Sequence, residues 1–300
     1  MNRQRFLPLL LTTTAALLWG SSFTVVKVGL RYFDPYTFVF LRFLVAALIL
    51  LAIVAILGKL DEFLKALGDR YVILLGVVLA ASFGFQFRGQ AETTASKAAM
   101  IVNSSVVLVA PLGLVMLKER LGWRQIAALL VGLVGVYLIT SRRSADGSGS
   151  ETLLGNLLIA ISALCYALYV VLTRMTVTRR QHAEIPLIAA VFTWSLPFFL
   201  VGAIRGLETE APRVGYLAVG YLAIFCSIIP FILWTAAIKY VGALTSAIML
   251  LAELVFGVII AAYFLKETLA GEVIVGCVLV CAGIAMVGSS EESTIPQDSH

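Results

Sequence analysis

The sequence predicts an all-α membrane protein of ten transmembrane helices, built as two inverted repeats of five. Three observations carry that prediction. Apolar stretches of bilayer-spanning length fill most of the 300 residues. None of them shows the polar–apolar alternation of a membrane barrel strand. A charged corner, Leu-Lys-Glu, appears at 117–119 and returns at 265–267, 148 residues later.

Composition settles the solvent. The chain is 61% hydrophobic and 13% charged, with a mean hydropathy of +1.00, outside the range of soluble globular domains. A spanning helix needs about 20 mostly apolar residues. Ten such stretches read at 8–30, 35–57, 71–89, 96–117, 122–140, 152–173, 185–204, 214–237, 242–264 and 270–288, each bounded by charges, Pro or Gly. Arg3 and Arg5 precede the first apolar run as they would in a signal peptide. That run continues through Leu30 without a clear cleavage site, so it is expected to be retained as a span.

The doubling is visible without gaps. Residues 94–138 and 242–286 share nine identities, among them Ala99/Ala247, the three corner residues and Gly135/Gly283. The polar stretch SRRSADGSGSE separates the halves. The expected organisation is a repeat at 1–140, a linker at 141–151, a second repeat at 152–288 and a polar tail at 289–300. Five spans is an odd number, so the second half enters the membrane upside down relative to the first. With the N-terminus in the cytoplasm, inside segments hold twelve Lys/Arg and outside segments eight. That bias favours both termini inside.

A few charges stand within spans, where an ionised side chain costs about 2.5–3.5 kcal/mol even on the gentler insertion scale. Lys27 and Arg42 sit in the outer thirds of their spans, and two readings stay open for each: a snorkelling cation or a cavity residue. Glu253 lies eleven residues into span nine, and its repeat counterpart is Ser105. It is too short to snorkel. It is either a functional acid or a structural group buried with a partner.

Polar side chains also form helical stripes. Ser82, Gln86 and Gln90 share a face of span three, while Lys97, Met100, Asn103 and Ser104 lie close on span four. Span six carries Ser162, Tyr166, Tyr169 and Thr173; span eight carries Ser227, Phe231 and Trp234. Spans five and ten are nearly apolar, with Gly132 and Gly135 in one and Gly276, Gly283 and Gly288 in the other. They read as close-packing or oligomer-contact helices. Pro111, Pro197 and Pro230 interrupt spans and permit kinks, with Pro111 and Pro230 the candidate hinges. The four cysteines read as packing residues. With only His182 and His300 available, no metal cluster and no cofactor is expected.

The stretch Trp19-Gly20-Ser21-Ser22-Phe23, followed by Lys27, Pro35 and Arg42, resembles the entry motif of EamA-type carriers of the drug/metabolite transporter superfamily. The corners resemble the Leu-Gly-Glu that closes helices four and nine there, and Gly135 and Gly283 match the following glycine. The likeness covers nearly the whole chain. It implies the drug/metabolite transporter fold, with helices one, three, four, six, eight and nine around a cavity. It also implies an acid at Glu253 followed by a hinge proline. Here that proline is Leu254 and its first-half equivalent is Val106, so a hinge at the usual place is in doubt and Pro111 is the substitute. Among family members the chain looks most like exporters of amino acids, including aromatic ones.

The expected function is secondary transport: export of amino acids or similar small metabolites across the bacterial inner membrane by alternating access. The expected substrate-binding residues are Trp19, Lys27, Gln86, Met100, Asn103, Tyr166, Tyr169, Trp234 and Glu253. The protein is expected to act on its small-molecule substrate in the lipid bilayer, as a monomer or a weak homodimer through helices five and ten. A proton-coupled multidrug or cation efflux carrier is the alternative. It would want an acid in an early span of each half, and the first four spans hold none inside. A structural or receptor role ranks lower. An intramembrane enzyme lacks a span-embedded His or paired acids, no ATP-cradling loop is present, and the +5 charge is not concentrated in a nucleic-acid-binding face.

Overall fold

The computed structural model of the chain describes residues 3–93, 95–119, 121–143, 152–204, 211–265 and 269–288. Among them, ten helices are long and apolar enough to cross a membrane. They are Leu7–Gly29, Pro35–Ile56, Arg70–Ala91, Ala98–Leu117, Trp123–Ser141, Leu153–Arg179, Glu184–Ala203, Arg213–Ile238, Ala243–Ile260 and Gly271–Gly288. These are spans one to ten, and the fold is all-helical among the described residues.

Local chemistry starts several of them. Asp34 accepts from the backbone N–H of Tyr36 at 2.9 Å and Pro35 opens span two, whose missing N–H would have no helical partner there. Thr152 accepts from Gly155 N–H at 2.9 Å and starts span six. A short amphipathic helix, Leu60–Leu67, lies between spans two and three. It buries Phe63 and Ala66 against span seven and leaves Leu60 and Leu64 exposed.

The packing obeys one rule. Span one packs on spans eight and nine, and span six packs on spans three and four, which is the same pairing shifted by five spans. Spans two and seven pack on each other, as do five and ten, so each meets its own counterpart. A two-fold relation between halves of opposite direction produces this pattern.

Glycines set the approach of spans five and ten. A Cβ on Gly135 would fall 2.7 Å from the Gly276 carbonyl oxygen, and one on Gly283 would fall 2.9 Å from that of Ala128. Under the 148-residue offset these are the same contact made twice. The glycine faces are therefore used inside the chain, with backbones in direct contact. Gly135→Val is expected to destabilise the protein by about 1–3 kcal/mol, because backbone cannot move aside as a side chain does. A thermal-denaturation midpoint in detergent equal to wild type would refute this.

Spans four and nine are interrupted at mid-length. Helix Ala95–Asn103 stops at Ser104 and resumes as Ser105–Leu112, and helix Ala243–Leu250 stops at Leu251 and resumes as Ala252–Leu265. The two breaks are repeat-equivalent within one residue. At each, the ladder tightens to a bond over three residues: Val107 N–H to Ser104 O at 3.0 Å, and Leu254 N–H to Leu251 O at 3.1 Å. Neither break has a proline at it, so each helix is interrupted without one. In span four, side chains compete for the carbonyls instead: Asn103 donates to Ala99 O at 2.9 Å and Ser104 to Ile101 O at 2.6 Å. Pro111 stands exposed, just before a π-helical turn at Gly113–Leu117. Pro230 is buried and follows a second π turn, Ile224–Ile228.

The first charged corner is a joint between halves. Lys118 adopts the left-handed conformation, φ 58°, and ends span four. The Glu119 carboxylate then accepts from Ala243 N–H at 3.0 Å, capping span nine, and lies 3.4 Å from Arg174 Nε of span six. Arg174 also donates to the Ile238 carbonyl at the end of span eight, at 2.8 Å. The second corner, Lys266 and Glu267, lies outside the described residues.

On the same end of the bundle, Asp69 joins two connections. It caps span three at Tyr71 N–H (2.9 Å), accepts from His182 Nε2 at 3.0 Å and faces Arg180 Nε at 3.7 Å. Burial opposes its ionisation, but the Tyr71 and His182 hydrogen bonds and the Arg180 charge outweigh it and hold the carboxyl below its ordinary value. A depressed folded value stabilises above the unfolded pKa, about 3.9, and that stabilisation is lost as pH falls through the folded value. Acidification below pH of about 4 should therefore lower the thermal midpoint less in Asp69→Asn than in wild type. Equal acid sensitivity would sink the clasp.

Candidate functional site

Two adjoining cavities lie between the halves, and Tyr166, Glu253 and Val102 line both. The smaller is built from the two helix breaks. Span four presents Asn103, Ser105, Val106 and Val109 to it, and span nine presents Ala247, Leu250, Leu251 and Glu253. Asn103/Leu251 and Ser105/Glu253 are pairs at the 148-residue offset, so equivalent residues of both repeats face one space. The acid is thus the point where a symmetric cavity becomes chemically one-sided. Asn103 shares that cavity wall with Glu253, its Nδ2 donating to the Ala99 carbonyl at 2.9 Å. Among the described residues no cation pairs with Glu253.

The larger cavity extends toward the end of the bundle where spans one and three finish. Span one contributes Trp19, Ser22 and Val26, and span three contributes Phe83, Gln86, Phe87 and Gln90; Phe231 comes from span eight. The Gln90 Oε1 atom is buried without a hydrogen-bond partner. Span two adds Arg42. Its guanidinium donates from Nε to Ser227 Oγ at 2.7 Å and from Nη2 to the Cys226 carbonyl at 2.6 Å, and only 2% of the residue is exposed.

The WGSSF stretch is explained residue by residue. Trp19 Nε1 donates to the Cys226 carbonyl at 3.0 Å, and its ring meets Phe231 and Trp234 edge-on. Gly20 lets span one touch span nine at the acid: a Cβ there would lie 2.5 Å from the Glu253 carbonyl oxygen. Ser21 Oγ is 2.9 Å from the Tyr221 hydroxyl, and Ser22 faces the cavity. The Phe23 side chain lies outside the described residues.

Of the nine expected binding residues, the structure therefore brings together Trp19, Gln86, Asn103, Tyr166 and Glu253. Tyr169 and Trp234 form a stacked pair behind them, ring centroids 6.0 Å apart, with Trp234 Nε1 donating to Ser246 Oγ at 2.8 Å. They support the wall and do not line it. Met100 packs half-buried against the core. Lys27 is exposed at the end of span one and lines neither cavity. Ser82, from the polar stripe of span three, turns to Ser162 instead, its Oγ donating to the Ser162 carbonyl at 3.3 Å. Arg42, which the sequence reading leaves out of the binding residues in favour of Lys27, lines the larger cavity, and only the packing separates the two.

Comparison with known proteins matches this geometry to a family. The sequence model of the EamA-like transporter family matches residues 6–141 and 153–289. The chain belongs to the EamA-like transporter family. An uncharacterized transporter of Archaeoglobus fulgidus is 28% identical over 296 residues, covering 97% of this chain and 99% of the relative. A probable amino-acid metabolite efflux pump of Salmonella typhimurium is 28% identical over 290 residues, covering 91% of this chain and 92% of the relative. A solved crystal structure superposes with a TM-score of 0.77 at 20% identity over 93% of this chain and 95% of its own, which is a likeness of fold alone.

Among the described residues, no group of His, Cys, Asp or Glu is placed to hold a metal ion. Together the two cavities present one acid, three amides (Gln86, Gln90 and Asn103), one guanidinium and aromatic walls.

Proposed function

We propose that this transporter exports an amino acid or a similar small metabolite across the inner membrane by alternating access, with both termini on the cytoplasmic face. The observation that carries the reading is the cavity at two facing helix breaks, one from each repeat, with Glu253 at its chemically unique point. Unwound helix segments at the repeat interface are where secondary carriers hold substrate. The Salmonella relative's description as a probable amino-acid metabolite efflux pump supports the substrate class.

In the described state the cavity reaches toward the ends of spans one and three, while Glu119, Arg174 and the start of span nine join at the other end. With the termini inside, that joint is cytoplasmic and must open to admit substrate. Trp19, Gln86, Asn103, Tyr166 and Glu253 form the binding surface, and Tyr169 and Trp234 hold its shape.

The test is flux. Purified protein in liposomes should take up labelled amino acids by counterflow, with cationic drugs in a parallel arm. Drug flux without amino-acid flux would replace this reading by cation efflux.

A further inference from the structure

Arg42 carries more information than any other polar residue of the spans. Its charge is buried at 2% exposure, yet both its acceptors, Ser227 Oγ and the Cys226 carbonyl, are neutral. Two of five N–H donors are used, and the rest have no protein acceptor among the described residues. Leaving a guanidinium in a bundle without a counter-charge is expensive, so its place demands a reason.

The fold holds it there deliberately. Pro230 has no N–H to give the Cys226 carbonyl one turn earlier, so that oxygen is free to accept from Arg42 and from Trp19 Nε1. The ring of Phe83, 5.1 Å from the guanidinium carbon, covers one flank. Arg42 lines the cavity whose other ionisable residue is Glu253. One cavity thus carries a guanidinium on span two and a carboxyl on span nine, with apolar and aromatic surface between.

We propose that Arg42 is the carboxylate receptor of this site, and that with Glu253 it selects a zwitterion, an α-amino acid with an apolar side chain. The substrate carboxylate takes the free N–H groups of the fork. The ammonium takes Glu253 and the unpartnered Gln90 Oε1. This rests on the carrier reading above, and it puts Arg42 where the sequence reading had Lys27 as the binding cation.

The test uses three probes of one shape: phenylalanine, phenethylamine without the carboxylate, and 3-phenylpropanoate without the amine. In proteoliposomes counterflowing labelled phenylalanine, neither singly charged analogue should compete within about tenfold of phenylalanine itself, the minimum for losing a charge-assisted contact. Arg42→Gln and Arg42→Lys should erase the discrimination against phenethylamine and keep that against 3-phenylpropanoate. Quenching of tryptophan fluorescence by the same probes gives a binding readout without flux. If the variants do not fold, the wild-type competition series still decides. Phenylalanine flux with phenethylamine competing equally overturns the zwitterion assignment alone. Absence of flux for every amino acid overturns the carrier reading with it. An Arg42→Gln protein that discriminates as wild type also overturns the assignment.

Discussion

Glu253→Gln is expected to lower counterflow of the preferred substrate by about tenfold or more while the protein remains folded in detergent, because the change removes the acid and keeps the volume. Glu253 lines both cavities, sits beside the break in span nine and shares the smaller cavity with Asn103. Its repeat counterpart, Ser105, faces the same space, so the glutamine variant makes the pair neutral on both sides. Initial rates per milligram of reconstituted protein give the answer. A wild-type rate would show that the carboxyl is a packing group, the reading that the sequence left open. Reduced rate with an unchanged thermal midpoint would place the effect in recognition or in the conformational cycle.

Gly20→Val should be the most damaging substitution of the entry motif. A Cβ at Gly20 would lie 2.5 Å from the Glu253 carbonyl oxygen and 3.0 Å from Gly257 N. Both neighbours are backbone, so relief requires spans one and nine to part at the acid. Overpacking of this kind costs about 1–3 kcal/mol, and the separation would also unseat Trp19 from the Cys226 carbonyl. Gly220→Ala is the matched control. Nothing lies within 4 Å of a Cβ there, and alanine in a helix is favoured over glycine by about 0.8–1.0 kcal/mol. Gly220→Ala should therefore raise the midpoint or leave it, and Gly20→Val should lower both midpoint and flux. Equal midpoints for the two variants would refute the close contact.

Much of the site was legible before any coordinates. The stripes of spans three, four and six pointed at Gln86, Asn103 and Tyr166, which now share cavity walls. Helical spacing is enough for that, since residues four apart lie on one face. Spacing does not say which face meets the cavity. Ser82 sits on the same stripe as Gln86 and is instead buried against Ser162. Tyr169 and Trp234 stand one layer behind the wall, a distinction of about one side-chain depth that no pattern encodes. The missing proline after Glu253 gave no sign of the break in that helix, because a helix break has more than one cause; in span four, polar side chains compete for the carbonyls.

The opposite fates of Lys27 and Arg42 show the boundary most clearly. Both are single cations in the outer third of a span, and the sequence reading chooses Lys27 as the binding residue and leaves Arg42 out. Lys27 ends exposed; Arg42 ends buried on Ser227 and on a carbonyl that Pro230 leaves free, 188 residues along the chain. The sequence by itself determined the number of spans, their doubling and the inversion. Those depend on apolar length, repeated letters and the parity of five, all of which are local or countable. Tertiary structure alone decided which polar groups face the cavity, since that depends on how each helix is rotated and on which backbone acceptors its neighbours leave unused.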